Sequence, residues 1–132
     1  MIASPNYVEY WQTRIKQQQE QDQQLAKQVK MDLAAIVKVL VQQFGVTHII
    51  LFGSLAKGTF KEDSDIDLAV AGIPARQFFA ALGAINSQSR VWVDLKPLED
   101  LEPHFRQCVL ATGECLYESV IDQPTTGFEN RD

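Results

Sequence analysis

Two short patterns in the middle of the chain have the residue types and the spacing of a metal–nucleotide site. The first is the pair Gly53-Ser54, and the second, Asp65-x-Asp67, follows after ten further residues. The pair comes directly after an apolar run, 46–52, that predicts a buried strand, so its backbone N–H groups lie at a strand-to-helix turn where they can bind phosphate oxygens. Asp65 and Asp67 begin a second predicted strand, 65–70, and both carboxylates therefore project from one face. A phosphate-binding turn opposite two carboxylates predicts a Mg²⁺–nucleotide site.

Each pattern alone also has a plainer interpretation, namely a Gly-Ser turn and a solvated acidic loop. A fixed pattern of four residues should arise by chance in roughly one sequence per thousand of this length. The two patterns occur together at a defined spacing, and each is flanked by a hydrophobic strand. The combination therefore favours an active site, in which Asp65 and Asp67 would hold two Mg²⁺ ions and align an in-line displacement at the α-phosphate of a nucleotide.

The residues between the two patterns include further candidates for binding the nucleotide. Gly53 would let the backbone approach the phosphates, and Ser54 would offer both a hydroxyl and an N–H group. Lys57 would add a positive charge near them, with a solvated lysine as the alternative. Gly58 would let the loop turn away, a role that any loop glycine also fills.

Asp94 is the candidate for a third carboxylate. It lies in a predicted third strand, 90–95, that is otherwise rich in large apolar residues. Because a lone buried carboxylate is costly unless it is paired or metal-bound, Asp94 is expected to bind the catalytic metal and to take the proton from an acceptor hydroxyl. The alternative is an ion pair with Lys96 at the end of the strand.

The elements that must position these residues alternate between helix and strand. A helix from a cap at Asn6 to about Phe44 precedes the first strand, and a short helical turn over 54–57 follows it. Later helices are predicted over 74–86 and 103–112, and an extended piece over 114–117 closes the pattern. The helix over 74–86 is expected to bury four apolar side chains: Phe78, Phe79, Leu82 and Ile85. This order predicts an α/β (α+β) fold with a small mixed sheet packed by helices.

The chain divides by composition into three parts. Residues 1–30, called the N-terminal arm below, form a Gln-rich helical extension; residues 31–118 form the catalytic domain; and residues 119–132 form a loose polar tail. The arm has an apolar seam at heptad-like spacing, interrupted by Gln18 and Asp22, whose members are Val8, Ile15, Leu25 and Val29. The arm is either a surface for dimerisation or partner docking, or a solvated and partly disordered helix.

Composition limits the functions that are possible. A chain of 132 residues with 45% hydrophobic residues can form one domain with a real core. The net charge of −5 argues against a sequence-independent grip on nucleic acid. No signal peptide or membrane-spanning run is visible, and Cys108 and Cys115 lack metal-ligand spacing, so we expect a cytoplasmic protein with reduced thiols. His48 and His104 have no partner at ligand spacing either.

With Gly53-Ser54, Asp65-x-Asp67 and Asp94 in place, the chain resembles the nucleotidyltransferase superfamily of the DNA polymerase β type. It is most similar to the minimal nucleotidyltransferases, which carry the catalytic domain alone. The resemblance covers roughly 31–118. The chain departs from it at Lys57, where an arginine is frequent and would be a bidentate donor, and in the long arm, which the shortest members lack.

The resemblance implies an antitoxin of the HEPN/MNT toxin–antitoxin type, which uses Mg²⁺ and transfers AMP from ATP to a tyrosine of a HEPN-type RNase toxin. It also implies that the antitoxin forms a hetero-oligomer with that toxin. One alternative is a nucleotidyltransferase that acts on a small molecule or an RNA end, although a domain this short has little surface for an additional substrate-binding module. Another is neutralisation of a partner by contact alone, against which the complete set of site residues argues. The base preference, the acceptor and the stoichiometry are left open.

Overall fold

The computed structural model describes residues 5–119, which form a four-stranded mixed sheet flanked by helices. The strand order is β3-β2-β1-β4, in which β1 is antiparallel to β2 and β4, and β2 is parallel to β3. The elements are α1 (Pro5–Phe44), β1 (His48–Phe52), α2 (Ser54–Lys57), β2 (Ile66–Ala71), α3 (Phe78–Asn86), β3 (Val93–Pro97), α4 (Pro103–Thr112) and β4 (Glu114–Glu118). Short 3₁₀ turns, Ala75–Gln77 and Leu98–Asp100, precede α3 and α4. The predicted α+β fold with a mixed sheet is confirmed.

The main core lies between one face of the sheet and the second half of α1. Every third or fourth residue of this half is apolar, which gives a helix one continuous buried stripe. The stripe is formed by Val29, Leu33, Ile36 and Leu40, all 6% exposed or less. The first part of α1 differs, because residues 6–21 are all exposed. Among residues 5–119, no helix has an apolar stretch long enough to cross a membrane.

The other face of the sheet is covered by α4, and only partly. A smaller cluster of Ile50, Ala69 and Val109 is buried there, and the ring of Phe52 meets Phe105 of α4 edge to face at 5.8 Å. Because side chains alternate along a strand, Ile66, Leu68 and Val70 of β2 point into the main core and the residues between them point to this second face. The second face thus has room for polar side chains.

Two details of the predicted elements were wrong, and a third lies outside the described residues. Asn6 lies inside α1, whose described part starts at Pro5, and is therefore not the cap of the helix. Phe79 is 80% exposed, because neighbouring helical residues cannot face the same side and Phe78, Ala81 and Ile85 already do. The predicted tail, 119–132, lies outside the described residues except for Ser119.

Strand β3 begins three residues later than predicted, and Arg90, its predicted first residue, bonds to helix α1. The guanidinium of Arg90 donates to both carboxylate oxygens of Asp32, at 3.0 and 3.1 Å, and to the side-chain oxygen of Gln28 at 3.2 Å. The backbone N–H of Arg90 also donates to Asp32. The hydrogen bonds from Arg90 hold the pKa of Asp32 below its ordinary value. This contact fastens the entry of β3 to the long helix.

We expect Asp32→Asn to lower the melting temperature at pH 7 by about 3 °C. A carboxyl group whose pKa is lowered by folding contributes stability above its unfolded pKa of about 3.8, and this contribution is lost as the pH falls through the folded value. The difference between wild type and variant should therefore shrink when melting is followed from pH 7 down to pH 3. Asp22→Asn is the matched control, because the Asp22 carboxylate accepts from Gln18 within the same helix. An equal effect of the two variants would contradict this role of Asp32.

Candidate active site

Gly53 connects β1 to α2 and lies directly against the carboxylate of Asp67. Its backbone has φ 76° and ψ −156°, a conformation that side chains oppose. A Cβ atom at this position would overlap Oδ2 of Asp67 and lie 3.0 Å from its Cγ. Glycine is therefore required for two reasons, the backbone angle and the close approach of the carboxylate. The structure thus brings the Gly-Ser turn and the Asp-x-Asp pattern together.

The turn after Gly53 is held in place by its own hydrogen bonds and by one buried side chain. The N–H of Lys57 donates to the carbonyl of Gly53 at 3.1 Å, and the N–H of Thr59 donates to the carbonyl of Ser54 at 2.9 Å. Leu55 is 2% exposed and anchors α2 in the main core. Within the described residues, the Ser54 hydroxyl has no hydrogen-bond partner, so it can bind a ligand. Lys57 and Gly58 are exposed at the end of the turn.

The loop between α2 and β2 is anchored by Phe60. This ring is 3% exposed and packs in the same core as α1, in an otherwise polar loop. The loop then closes through Ser64, whose Oγ accepts from the N–H of Lys61 and whose N–H donates to the carbonyl of Lys61, both at 3.0 Å. These contacts hold the ten residues between the two patterns. Sequence reasoning missed Phe60, although a single large apolar residue in a polar loop is a usable signal.

Two of the predicted carboxylates, Asp67 and Asp94, lie on the second face of the sheet, at the end where β1 passes into Gly53. Asp67 of β2 is in register with Phe52 on one side and with Asp94 of β3 on the other. Asp65 is exposed just before β2, and its negative charge acts on Asp67. The parallel pairing of β2 and β3 is what makes Asp67 and Asp94 direct neighbours.

The pKa of Asp67 is shifted by burial and by the neighbouring charges of this cluster. Burial raises this pKa, and the negative charges of Asp94 and Asp65 raise it further, while the positive charge of Lys96 opposes the shift. The cluster therefore holds more negative charge than its surroundings compensate. A bound cation would remove this imbalance.

The residues fit Mg²⁺, which prefers oxygen ligands and is usually held by one or two carboxylates together with phosphate oxygens. In the part of the chain that the structure describes, no three side chains of the types that bind metals already converge as a complete ligand set. Among the three carboxylates, Asp94 also has a partner of its own, since its Oδ2 accepts from the ammonium of Lys96 at 2.8 Å. Asp94 thus lies beside Asp67, as the third-carboxylate interpretation requires, and is also paired with Lys96, as the alternative predicts.

Both histidines lie outside this cluster. His48 is at the opposite end of β1, where its Nδ1 lies 3.0 Å from Oγ1 of Thr47 and its Nε2 lies 3.6 Å from Glu118. His104 is at the start of α4, where its N–H donates to the carboxylate of Glu102. Cys108 and Cys115 are free and exposed.

Comparison with known proteins gives matches over most of the domain. A family model described as "Polymerase beta, Nucleotidyltransferase" matches residues 34–121. The structure is similar to a minimal nucleotidyltransferase, with a TM-score of 0.60 and 26% identity over 67% of this chain and 93% of that one.

Two further similar structures come from toxin–antitoxin crystals. A chain of a toxin–antitoxin with AMP-PNP has a TM-score of 0.57 and 26% identity, over 67% of this chain and 75% of that one. A chain of a mutant of the toxin–antitoxin MntA-HpeT has a TM-score of 0.57 and 27% identity, over 67% of this chain and 74% of that one. No curated protein matches the sequence.

Proposed function

Because this chain belongs to the polymerase β-type nucleotidyltransferase family, we propose that it transfers AMP from ATP to a hydroxyl group in a Mg²⁺-dependent reaction. The observation that carries this proposal is the contact between the Gly53 backbone and the Asp67 carboxylate, with Asp94 in register beside Asp67. That contact supports the proposal because N–H groups of the turn, which would bind phosphates, lie close to carboxylate oxygens, which would bind a metal.

Each residue of the site then has a defined task. Asp65, Asp67 and Asp94 would hold Mg²⁺, which supplies charge neutralisation on the phosphates and orients them. The Ser54 hydroxyl and the N–H groups of the turn would bind the phosphates that leave, with Lys57 adding a positive charge and Gly58 keeping the loop clear.

The transfer itself exchanges one phosphorus–oxygen bond for another. The acceptor oxygen bonds to the α-phosphorus, the bond from that phosphorus to the oxygen bridging to the β-phosphate breaks, and pyrophosphate leaves with the bonding electrons. The acceptor proton passes to the carboxylate of Asp94, which lies next to Asp67. The products are pyrophosphate and the AMP ester of the acceptor, which together contain all the atoms of ATP.

We further propose that the acceptor is a tyrosine of a HEPN-type RNase toxin and that this chain is the antitoxin. Two observations support this partner. The similar solved structures include chains of toxin–antitoxin crystals, one of them with AMP-PNP. The catalytic domain, 31–118, carries no recognisable module that would bind an acceptor, whereas the N-terminal arm exposes large apolar side chains: Val8, Tyr10, Trp11 and Ile15. We propose that the arm, 1–30, docks this partner or a second copy in the cytoplasm, where Cys108 and Cys115 stay reduced.

The test is transfer of AMP to the product of the neighbouring gene. Incubation of the chain with Mg²⁺, ATP and that product should add one or more AMP units to a tyrosine of the product, measured by mass spectrometry. Co-expression should restore growth to cells that the product poisons. The double variant Asp65→Asn/Asp67→Asn should fail in both assays, and Asp63→Asn, an exposed carboxylate of the preceding loop, should behave like wild type. Full rescue of growth by the double variant, together with no mass added to the product by wild type, would instead support neutralisation by binding alone.

A further inference from the structure

Lys96 forms an ion pair inside the candidate active site. Its ammonium donates to Oδ2 of Asp94 at 2.8 Å, and the two residues share a face of β3 because they are two positions apart. Of the ion pairs among the described residues, this one involves a carboxylate of the site, whereas those of Asp32 and Glu118 lie elsewhere. One of the two carboxylate oxygens of Asp94 is therefore already in use.

The position of Lys96 differs from that of an ordinary surface lysine. A single exposed ion pair contributes little to stability, and here both side chains are about two-fifths exposed, 40% for Lys96 and 38% for Asp94. However, the positive charge of Lys96 also lowers the pKa of Asp67, which the other causes raise. Lys96 therefore acts on more than one carboxylate of the cluster. The cluster thus contains its own compensating cation.

A second cation at the same carboxylates would repel Lys96. The interaction between charges scales with their product, so a divalent ion is attracted to the cluster about twice as strongly as an ammonium at equal distance and repels that ammonium in turn. The lysine stem is flexible and ends in a strongly hydrated point charge, so the ammonium can leave for solvent without disturbing β3.

We propose that Lys96 is a resident counter-ion of the site, which competes with the divalent cation for Asp94 and is displaced when the cation binds. The inference rests on the function proposed above. It assigns to Lys96 a regulatory task, which is to set how much free divalent cation is needed before the three carboxylates act together. Without the cation, Lys96 holds Asp94 in place and reduces the repulsion between Asp94 and Asp67.

The experiment compares Lys96→Met, which keeps the stem and removes the charge, with Lys96→Arg, which keeps the charge. Mn²⁺ serves as the probe, and its Kd is measured by electron paramagnetic resonance on the full chain, together with the melting temperature with and without Mn²⁺. Lys96→Met should bind Mn²⁺ about tenfold more tightly than wild type, should melt lower without metal, and should show a larger rise on adding Mn²⁺. Lys96→Arg should stay close to wild type, and so should Lys38→Met, which removes an exposed charge from α1.

The outcomes separate this inference from the proposed function. An unchanged or weaker Mn²⁺ affinity of Lys96→Met, in a variant whose circular dichroism matches wild type, would overturn the counter-ion role. If Lys96→Met lost AMP transfer at saturating Mn²⁺ with an unchanged Kd, Lys96 would act on the substrate and the inference would also be wrong. Neither result would contradict the proposed nucleotidyltransferase site. If wild type itself bound no Mn²⁺, the proposed site would fail and the inference with it.

Discussion

Replacing Asp67 by Asn should abolish AMP transfer and at the same time make the metal-free protein more stable at neutral pH. Transfer is expected to fall at least about a hundredfold, because the central carboxylate of the cluster is lost as a metal ligand. Stability should rise because the folded protein opposes ionisation of Asp67, through burial and through the charges of Asp94 and Asp65. The side chain of Asn has nearly the same shape and no charge, so it removes the repulsion and little else.

The raised pKa of Asp67 determines how the difference in melting temperature between Asp67→Asn and wild type changes with pH. A carboxyl group whose pKa is raised by folding contributes stability below its unfolded pKa, about 3.8 for Asp67, and this contribution is lost as the pH rises through the folded value. With a chelator present, Asp67→Asn should therefore melt about 3 °C above wild type at pH 7, and the gap should narrow as the pH is lowered and wild type takes up the proton. Adding Mg²⁺ should raise the melting temperature of wild type more than that of the variant.

Asp63→Asn is the control for this experiment, because it makes the same chemical change on an exposed loop residue outside the sheet. It should leave transfer and the pH dependence of melting as they are in wild type. If Asp67→Asn were less stable than wild type at pH 7 without metal, the carboxylate would be held by favourable contacts and the account of a repulsive cluster would be wrong.

Replacing Gly53 by Ala should cost both stability and transfer. The backbone has φ 76°, which a side chain opposes, and the new methyl group would overlap the carboxylate of Asp67. We expect a loss of about 1–3 kcal/mol in the free energy of unfolding, and a loss of transfer of about a hundredfold or more because Asp67 must move away. Denaturant unfolding and single-turnover transfer measure the two effects separately.

Gly45→Ala is the matched control for the backbone part of this effect. Gly45 follows α1 with φ 68°, and an added Cβ would meet nothing within 4 Å. The two variants therefore share the strain of a positive φ, and only Gly53→Ala also displaces a carboxylate. Gly45→Ala should lose stability and keep normal transfer per folded molecule. Normal transfer by Gly53→Ala would show that the close approach to Asp67 is not needed for function.

The parts of the fold that short-range patterns determine could be predicted from the sequence. The apolar run before Gly53 and the alternation after Asp65 each depend on a few neighbouring residues, and β1, α2 and β2 formed nearly where these patterns placed them. The side of a helix or strand that becomes buried depends on distant partners. The apolar pattern of the helix therefore predicts a buried Phe79, whereas packing leaves this side chain exposed.

The contacts that hold the site together could not be predicted in the same way. The pairing of Arg90 with Asp32 joins residues 58 positions apart, and nothing local to either one indicates it. The sequence predicts the contact between Lys96 and Asp94 only as an alternative to metal binding, because it does not show that Asp94 lies next to both Lys96 and Asp67. The register of β2 with β3, which brings Asp94 beside Asp67, likewise depends on the whole sheet.

The alternation of core and site residues along β2 limits how the length of this chain can change in evolution. Ile66, Leu68 and Val70 face the core, and Asp67 between them faces the site. Inserting or deleting a single residue inside this strand would exchange the two sets, burying the carboxylate and exposing the apolar side chains beyond it. A length change in the loop before it affects neither set, provided that Phe60 and Ser64 keep their anchors. Length variation in descendants of this chain should therefore be tolerated in the loop and purged from the strand.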